Sequence, residues 1–275
     1  MKKINQQLGE QELRQLAAGA LAETCPARKC ERVQALGLDL PVNAVKQLVA
    51  NMGRPVRPEL VPPRQVPARS VQLPQGRGML LHALAHIEFN AINLALDAMV
   101  RFADMPDQFY RDWAKVAREE ALHHTLLVQR LHDYQLAYGD CPAHDGLWQM
   151  AEKTSDSLLA RLALVPRLLE ARGLDVSPAI RDKLHAAGDT ASAEVLDIIL
   201  RDEIGHVHIG NHWFHVLCTQ QCLEPIATFE RCLADYRAPE PRPPFNYAAR
   251  QQAGFTEQEI QWLYQLDFAP QTEPQ

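Results

Sequence analysis

The stretch Ile199-Leu-Arg-Asp-Glu-Ile-Gly-His-Val-His-Ile-Gly210, written ILRDEIGHVHIG, decides the fold. Its apolar residues recur at helical spacing, yet Asp202, Glu203 and His206 sit among them, and Gly205 and Gly210 interrupt them. A glycine inside a helix costs about 1 kcal/mol relative to alanine, so both glycines need a reason. Side chains three apart share a helix face, so Glu203 and His206 point the same way. The same Glu-x-x-His spacing recurs at Glu120 and His123 in REEALHHTLL and nowhere else in the chain.

The register of the two motifs says more than their number, since roughly one is expected by chance in a chain of this length. Each motif sits in the second helix of a helical hairpin, and each first helix offers a carboxylate. Glu88 precedes Glu120 by 32 residues and Glu170 precedes Glu203 by 33, which offsets the halves by 82 and 83 residues. Two glutamates plus two Glu-x-x-His pairs are the ligand set of a four-helix dinuclear carboxylate site. Their neighbours are apolar: Leu81, Leu84, Ala91, Ile92 and Ala95 around Glu88; Trp113, Val116, Ala117 and Leu127 around Glu120; Leu196, Ile199, Leu200 and Val207 around Glu203. A carboxylate in such a seam takes up a proton or costs several kcal/mol. Two divalent cations offset four carboxylates, and the small glycines let helices approach or leave room for a small molecule.

Outward from that site the pattern is helical from Gly78 to about Gln221. One segment runs from Gly78 to a break at Pro106, and a second from Asp107 to a stop at Gly139. A third runs from Leu147 to Gly173, and after a short helix the fourth covers Thr190 to Gln221. Pro166 and Gly173 predict that the third is kinked or finished around Glu170. The expected fold is therefore all-α: a four-helix bundle over residues 78–222 with helical extensions at both ends. Residues 1–50 form the N-terminal extension, with EQELRQLAAGALAE stopping near Pro26, and residues 223–275 form a C-terminal extension packing on the bundle. Thr256 and Glu259 have capping-box spacing, which starts a last helix near Glu257. Between extension and bundle, residues 51–77 are dense in proline and carry Arg54, Arg57, Arg64, Arg69 and Arg77 against a lone Glu59. Proline at that density makes an extended arm, read as a strap on the surface of the main domain.

The chain of 275 residues is 47% apolar and 23% charged, which suits a sizeable core. A formal charge of −6 gives no overall attraction to nucleic acid or to an anionic membrane. No uninterrupted apolar run approaches the roughly 18 residues that span a bilayer, and the basic opening MKKINQQLGEQELRQL lacks an apolar signal-peptide core. A cytoplasmic protein is expected. The six cysteines, Cys25, Cys30, Cys141, Cys218, Cys222 and Cys232, include no CxxC pair and read as small, mostly buried thiols.

Oxygen ligands with imidazole suit iron or manganese; zinc favours thiolates, although it can occupy such a site. The expected cofactor is a pair of irons, with manganese or a mixed manganese–iron pair as the alternative. Asp202 and Glu119 each directly precede a motif glutamate and are candidates to orient a ligand histidine across the bundle, against the simpler reading of exposed acids. His82 and His86 fall with Asn90, Asn93 and Asp97 on the polar face of the first helix, and His208, His212 and His215 line one face of the fourth. All five histidines read as surface or interface residues. His124 competes with His123 at i+4 from Glu120, and symmetry between the halves prefers His123.

This motif set resembles the ferritin-like superfamily. EARGLDV at 170–176, RDEIGHV at 201–207 and the RPVRPELVPPR arm at 54–64 resemble a bacterial family of ferritin-like proteins that lies near the tRNA-hydroxylating di-iron enzymes. The resemblance covers most of the chain. It implies a di-iron ferritin-like bundle with Glu88, Glu120, His123, Glu170, Glu203 and His206 as ligands, and it supplies no substrate. In related enzymes an aspartate often precedes the motif glutamate; Asp202 matches and Glu119 does not.

The expected function is an oxidoreductase in which two ferrous ions reduce O2 to hydroxylate or oxidise an organic substrate, a small molecule or tRNA. Since no flavin or nicotinamide fingerprint is present, an external reductase or ferredoxin partner is expected. Hydroxylation of tRNA is favoured only by the family resemblance and the arginine-rich arm, and the net charge argues against it. Iron handling by ferroxidase or peroxide scavenging is the alternative, and a metal-stabilised binding module without turnover a third.

Overall fold

A computed structural model describes residues 12–48, 51–67 and 69–268. Parts of the expected extensions and arm, residues 1–11, 49–50, 68 and 269–275, lie outside the described residues. The protein is all-α: α1 (Leu13–Ala22), α2 (Pro26–Gln34), α3 (Pro74–Arg101), α4 (Asp107–Asp133), α5 (Gly146–Lys153), α6 (Leu158–Leu164), a π-helical turn (Val165–Glu170), α7 (Ala171–Ala186), α8 (Thr190–Gln220), α9 (Pro225–Asp235), α10 (Tyr247–Gln252) and α11 (Glu257–Phe268). The chain divides into two compact units, with boundaries inside α3 and α4: residues 1–56 with 88–125, and residues 57–87 with 126–275.

In the first unit α1 and α2 pair with each other. Arg14, fully buried, donates from Nε to the Met99 carbonyl at 2.8 Å and from Nη2 to the Val100 carbonyl at 3.2 Å. A helix leaves its last four carbonyls without intrahelical partners, and Arg14 supplies donors to two of them at the end of α3. Its guanidinium also lies 4.6 Å from the Tyr110 ring centre. Lys29, equally buried, donates to the carbonyls of Leu21 (2.9 Å) and Gly53 (3.2 Å) and to the Asn93 side chain.

In the second unit α8 is the organising element, packed along α7 and against the π-turn, α6, α9 and α10. Asp189 caps it by accepting from the Ser192 amide. The arm is anchored here: Val61 N donates to Ala143 O at 2.8 Å and Ala143 N to Glu59 O at 2.9 Å, closing an isolated parallel bridge. At α11 the expected capping box is complete, with Thr256 N donating to Glu259 Oε2 (2.8 Å) and Glu259 N to Thr256 Oγ1 (3.3 Å).

Several boundaries differ from the sequence reading. α3 begins at Pro74, inside the segment assigned to the arm, because proline at a first helical position loses no needed donor. α4 ends at Asp133, before Gly139: Gln135 takes φ 56° and Leu136 N bonds back to Leu131 O at 3.1 Å, a left-handed termination made without glycine. α7 runs through both Gly173 and Pro178, so neither stops the helix. α3 is also long and apolar enough to cross a membrane, which a search for uninterrupted apolar runs does not flag, but 83% of its most apolar window is buried. That burial marks it as a core helix.

The two glycines of the opening stretch have different reasons. A Cβ on Gly210 would lie 2.6 Å from Pro166 Cγ, so Gly210 is what lets α8 approach the proline of the π-turn. A Cβ on Gly205 would meet nothing within 4 Å. Gly205→Ala is therefore expected to stabilise the fold by about 1 kcal/mol through helix propensity. Gly210→Ala should destabilise it by about 1–3 kcal/mol through overpacking. Urea unfolding of the two variants measures both, and the same sign for both would contradict the packing.

Candidate metal centre

α3 and α4 present a cluster within the first unit. Glu88 lies near the middle of α3, and Glu120 and His123 lie one turn apart on α4. His123 Nδ1 is 3.2 Å from Glu88 Oε2 and 3.4 Å from Glu120 Oε2. Glu120 and His123 are fully buried and Glu88 is 4% exposed, which excludes a hydrated surface ion pair. Trp113, Val116, Ala117 and Leu127 beside Glu120, and Leu81, Ile92 and Ala95 beside Glu88, are buried as their spacing requires. His124 is buried with its ring 5.5 Å from that of Phe89, and it is His123 that joins the two glutamates.

Electrostatics shows what this cluster lacks. Burial, reinforced by the neighbouring Glu120 carboxylate, holds the Glu88 carboxyl well above the usual carboxylate range. Burial works against a charged His123, but the Glu120 and Glu88 carboxylates outweigh it and push the imidazole up to about 11. Protons thus supply the positive charge that the buried acids demand. A divalent cation supplies more charge at the same place, and the two oxygen donors and one nitrogen donor suit iron or manganese. The residues present fit a metal.

In the second unit Glu203 and His206 share a face of α8, with Glu203 Oε1 3.6 Å from His206 Nδ1, beyond hydrogen-bond reach. His206 is fully buried, and 12% of the Glu203 side chain is exposed. Leu196, Ile199 and Val207 beside them are buried. Glu170 closes the π-turn, whose wider winding re-aims the side chains that follow it, and the turn packs on α8. π-turns recur at functional sites. Asp202 accepts from its neighbour Arg201 (2.8 Å), and Glu119 accepts from Lys115 one turn away (2.8 Å).

Two groups of residues differ from the sequence reading. His82 and His86 are buried, along with Asn90, Asn93 and Asp97. The polar stripe of α3 finds partners inside the protein: His82 Nε2 accepts from the Gly139 amide at 2.8 Å, His86 Nδ1 meets the Tyr138 hydroxyl at 2.9 Å, and Arg101 pairs with Asp97. Arg167 carries no motif of its own in the sequence. It is 3% exposed, sits in the π-turn three residues before Glu170, and joins Asn211 Oδ1 (2.8 Å) and Glu259. The signal available was Glu259, whose capping-box position hides a second role.

A helical protein with two glutamates and a histidine gathered in its interior is a candidate metalloprotein. The chain belongs to the family described as "Protein of unknown function (DUF455)", which matches residues 12–261. A Haemophilus influenzae protein named "Uncharacterized protein" is 46% identical over 220 residues, covering 78% of this chain and 76% of that protein. No solved structure matches.

Proposed function

We propose that the chain is a ferritin-like di-iron oxidoreductase in which Glu88, Glu120, His123, Glu170, Glu203 and His206 hold two irons, or manganese in one or both positions. The observation that carries the reading is the buried cluster of Glu88, Glu120 and His123, two acids and an imidazole in an apolar setting that only a cation or protons make tolerable. Its support is that one ligand atom each from Glu88, Glu120 and His123 lies within 4.8 Å of the others, and Glu203 is added by the matching offset of its motif. Glu170 and His206 enter by the repeat of spacing. When bound, a ferrous pair supplies electrons for reducing O2, which the chain's own side chains cannot do. The buried apolar neighbours of Glu88 and Glu120, Ile92, Trp113 and Val116 among them, exclude water from these acids and strengthen their hold on a cation. Asp202 and Glu119 are the carboxylates best placed in sequence to orient the ligand histidines. Re-reduction requires an external donor such as a reductase or ferredoxin, and the proposed substrate is an organic molecule met in the cytoplasm.

Metal analysis of the full chain tests this directly. Two metal ions per chain are expected after anaerobic Fe(II) loading, with O2 consumed on exposure to air. Fewer than two per folded chain, or no O2 consumption, would overturn the di-iron reading.

A further inference from the structure

α8 carries a second array of imidazoles on another face. His208, His212 and His215 follow at i, i+4 and i+7, which stacks them along one side of the helix. They line a surface groove of about 420 Å³ together with Thr219, Gln220 and Gly254. His208 and His212 are exposed and His215 half-buried.

Two features lift this array above chance surface histidines. His215 Nε2 lies 2.9 Å from Oε1 of the buried Glu259, whose carboxylate is itself held by Arg167. A carboxylate behind one ring nitrogen is the usual backing of a metal-ligating histidine, since it fixes the tautomer and leaves Nδ1 with the lone pair. The groove is also kept open at His208. Gly254 adopts φ +83°, and a Cβ there would come 2.9 Å from His208 Nδ1, so any side chain would crowd that ring. We propose that this face of α8 is a binding site for a borderline divalent transition-metal ion such as Zn2+, with His208, His212 and His215 as ligands. An all-imidazole set selects zinc, copper or nickel, in contrast to the acid-rich cluster around Glu88. Among the described residues only the Glu88 group has its ligand atoms already within 4.8 Å, so the exposed His208 and His212 rings must rotate to close on the ion. Exposed side chains move between rotamers at little cost.

The test is Zn2+ titration of the full chain by calorimetry, comparing wild type with His212→Ala and Glu259→Gln. His212 takes part in both adjacent ligand pairs, and it is exposed, so its removal leaves the fold intact by circular dichroism. One Zn2+ equivalent fewer is expected in His212→Ala, with the remaining equivalents unchanged. Glu259→Gln keeps the equivalent but weakens it about 10–100-fold through loss of the carboxylate behind His215. Equal stoichiometry in wild type and His212→Ala overturns the proposal. Because the carboxylate cluster is untouched in His212→Ala, this result stands or falls independently of the di-iron reading.

Discussion

Glu120→Gln should lose metal while leaving the metal-free protein as stable as wild type or more so. The substitution keeps the shape of the side chain and removes one charge from a fully buried position. In the metal-free state burial first, and the Glu120 charge second, raise the Glu88 carboxyl, and the two acids share His123, whose imidazole they push up to about 11 against burial. Relieving their repulsion leaves one acid for one imidazole, so no buried charge is stranded and the usual cost of breaking a buried pair does not arise. The metal-bound state behaves oppositely, since a charged oxygen donor is gone and affinity falls by more than the tenfold to hundredfold typical of a supporting residue. Thermal melts with and without chelator read both effects. Chelation should lower the wild-type Tm, because an ion that binds only the folded state stabilises it by mass action, and should leave the Glu120→Gln Tm unmoved. A variant that melts well below wild type in the presence of chelator would make Glu120 a structural partner of His123 and sink the metal reading.

The ease of reading the Glu88 cluster from sequence and the difficulty of reading other parts have the same origin. Helical periodicity is a local signal, and α8 runs from Thr190 to Gln220 as its apolar repeat and Asp189 cap require. The Glu120–His123 pair is equally local, fixed by three residues of spacing. The Thr256–Glu259 box announces α11 for the same reason. What failed depended on surroundings. Gln135 ends α4 in a backbone conformation that glycine usually occupies, so Gly139 drew the reading too far. The polar stripe of α3 looks like a solvent face in any helical projection, and only the packed neighbours reveal that His82 and Asn93 are internal. Pro166 marks an irregularity and the π-turn lies there, but its wider winding leaves no periodic trace, and Gly173 reads as a stop that α7 runs through.

Arg167 is the residue whose loss should cost the second unit most. It is buried in the π-turn among three aromatic rings, 4.8 Å from the centres of Phe214 and Phe255 and 5.3 Å from that of Phe229. Its ion pair with Glu259 ties the turn that ends in Glu170 to α11, and its hydrogen bond to Asn211 ties it to α8. Removing one partner of a buried pair strands the other charge, so Arg167→Met and Glu259→Gln are each expected to destabilise by about 3–5 kcal/mol. The double variant, which buries no charge, should recover much of that, and a double-mutant cycle isolates the coupling. Acid adds a second readout. Burial alone would raise the Glu259 carboxyl, but the His215 hydrogen bond and the Arg167 charge outweigh it and hold it at about 2, against 4.5 for the free side chain. A group depressed on folding contributes stability that is fully present above its unfolded value and fades as pH falls through its folded one. Wild type should therefore lose stability between about pH 4.5 and pH 2 by an amount that Glu259→Gln does not lose. Parallel acid profiles for the two proteins, with single variants near wild-type stability at neutral pH, would show that Arg167 and Glu259 are ordinary neighbours rather than the clasp that fixes the π-turn.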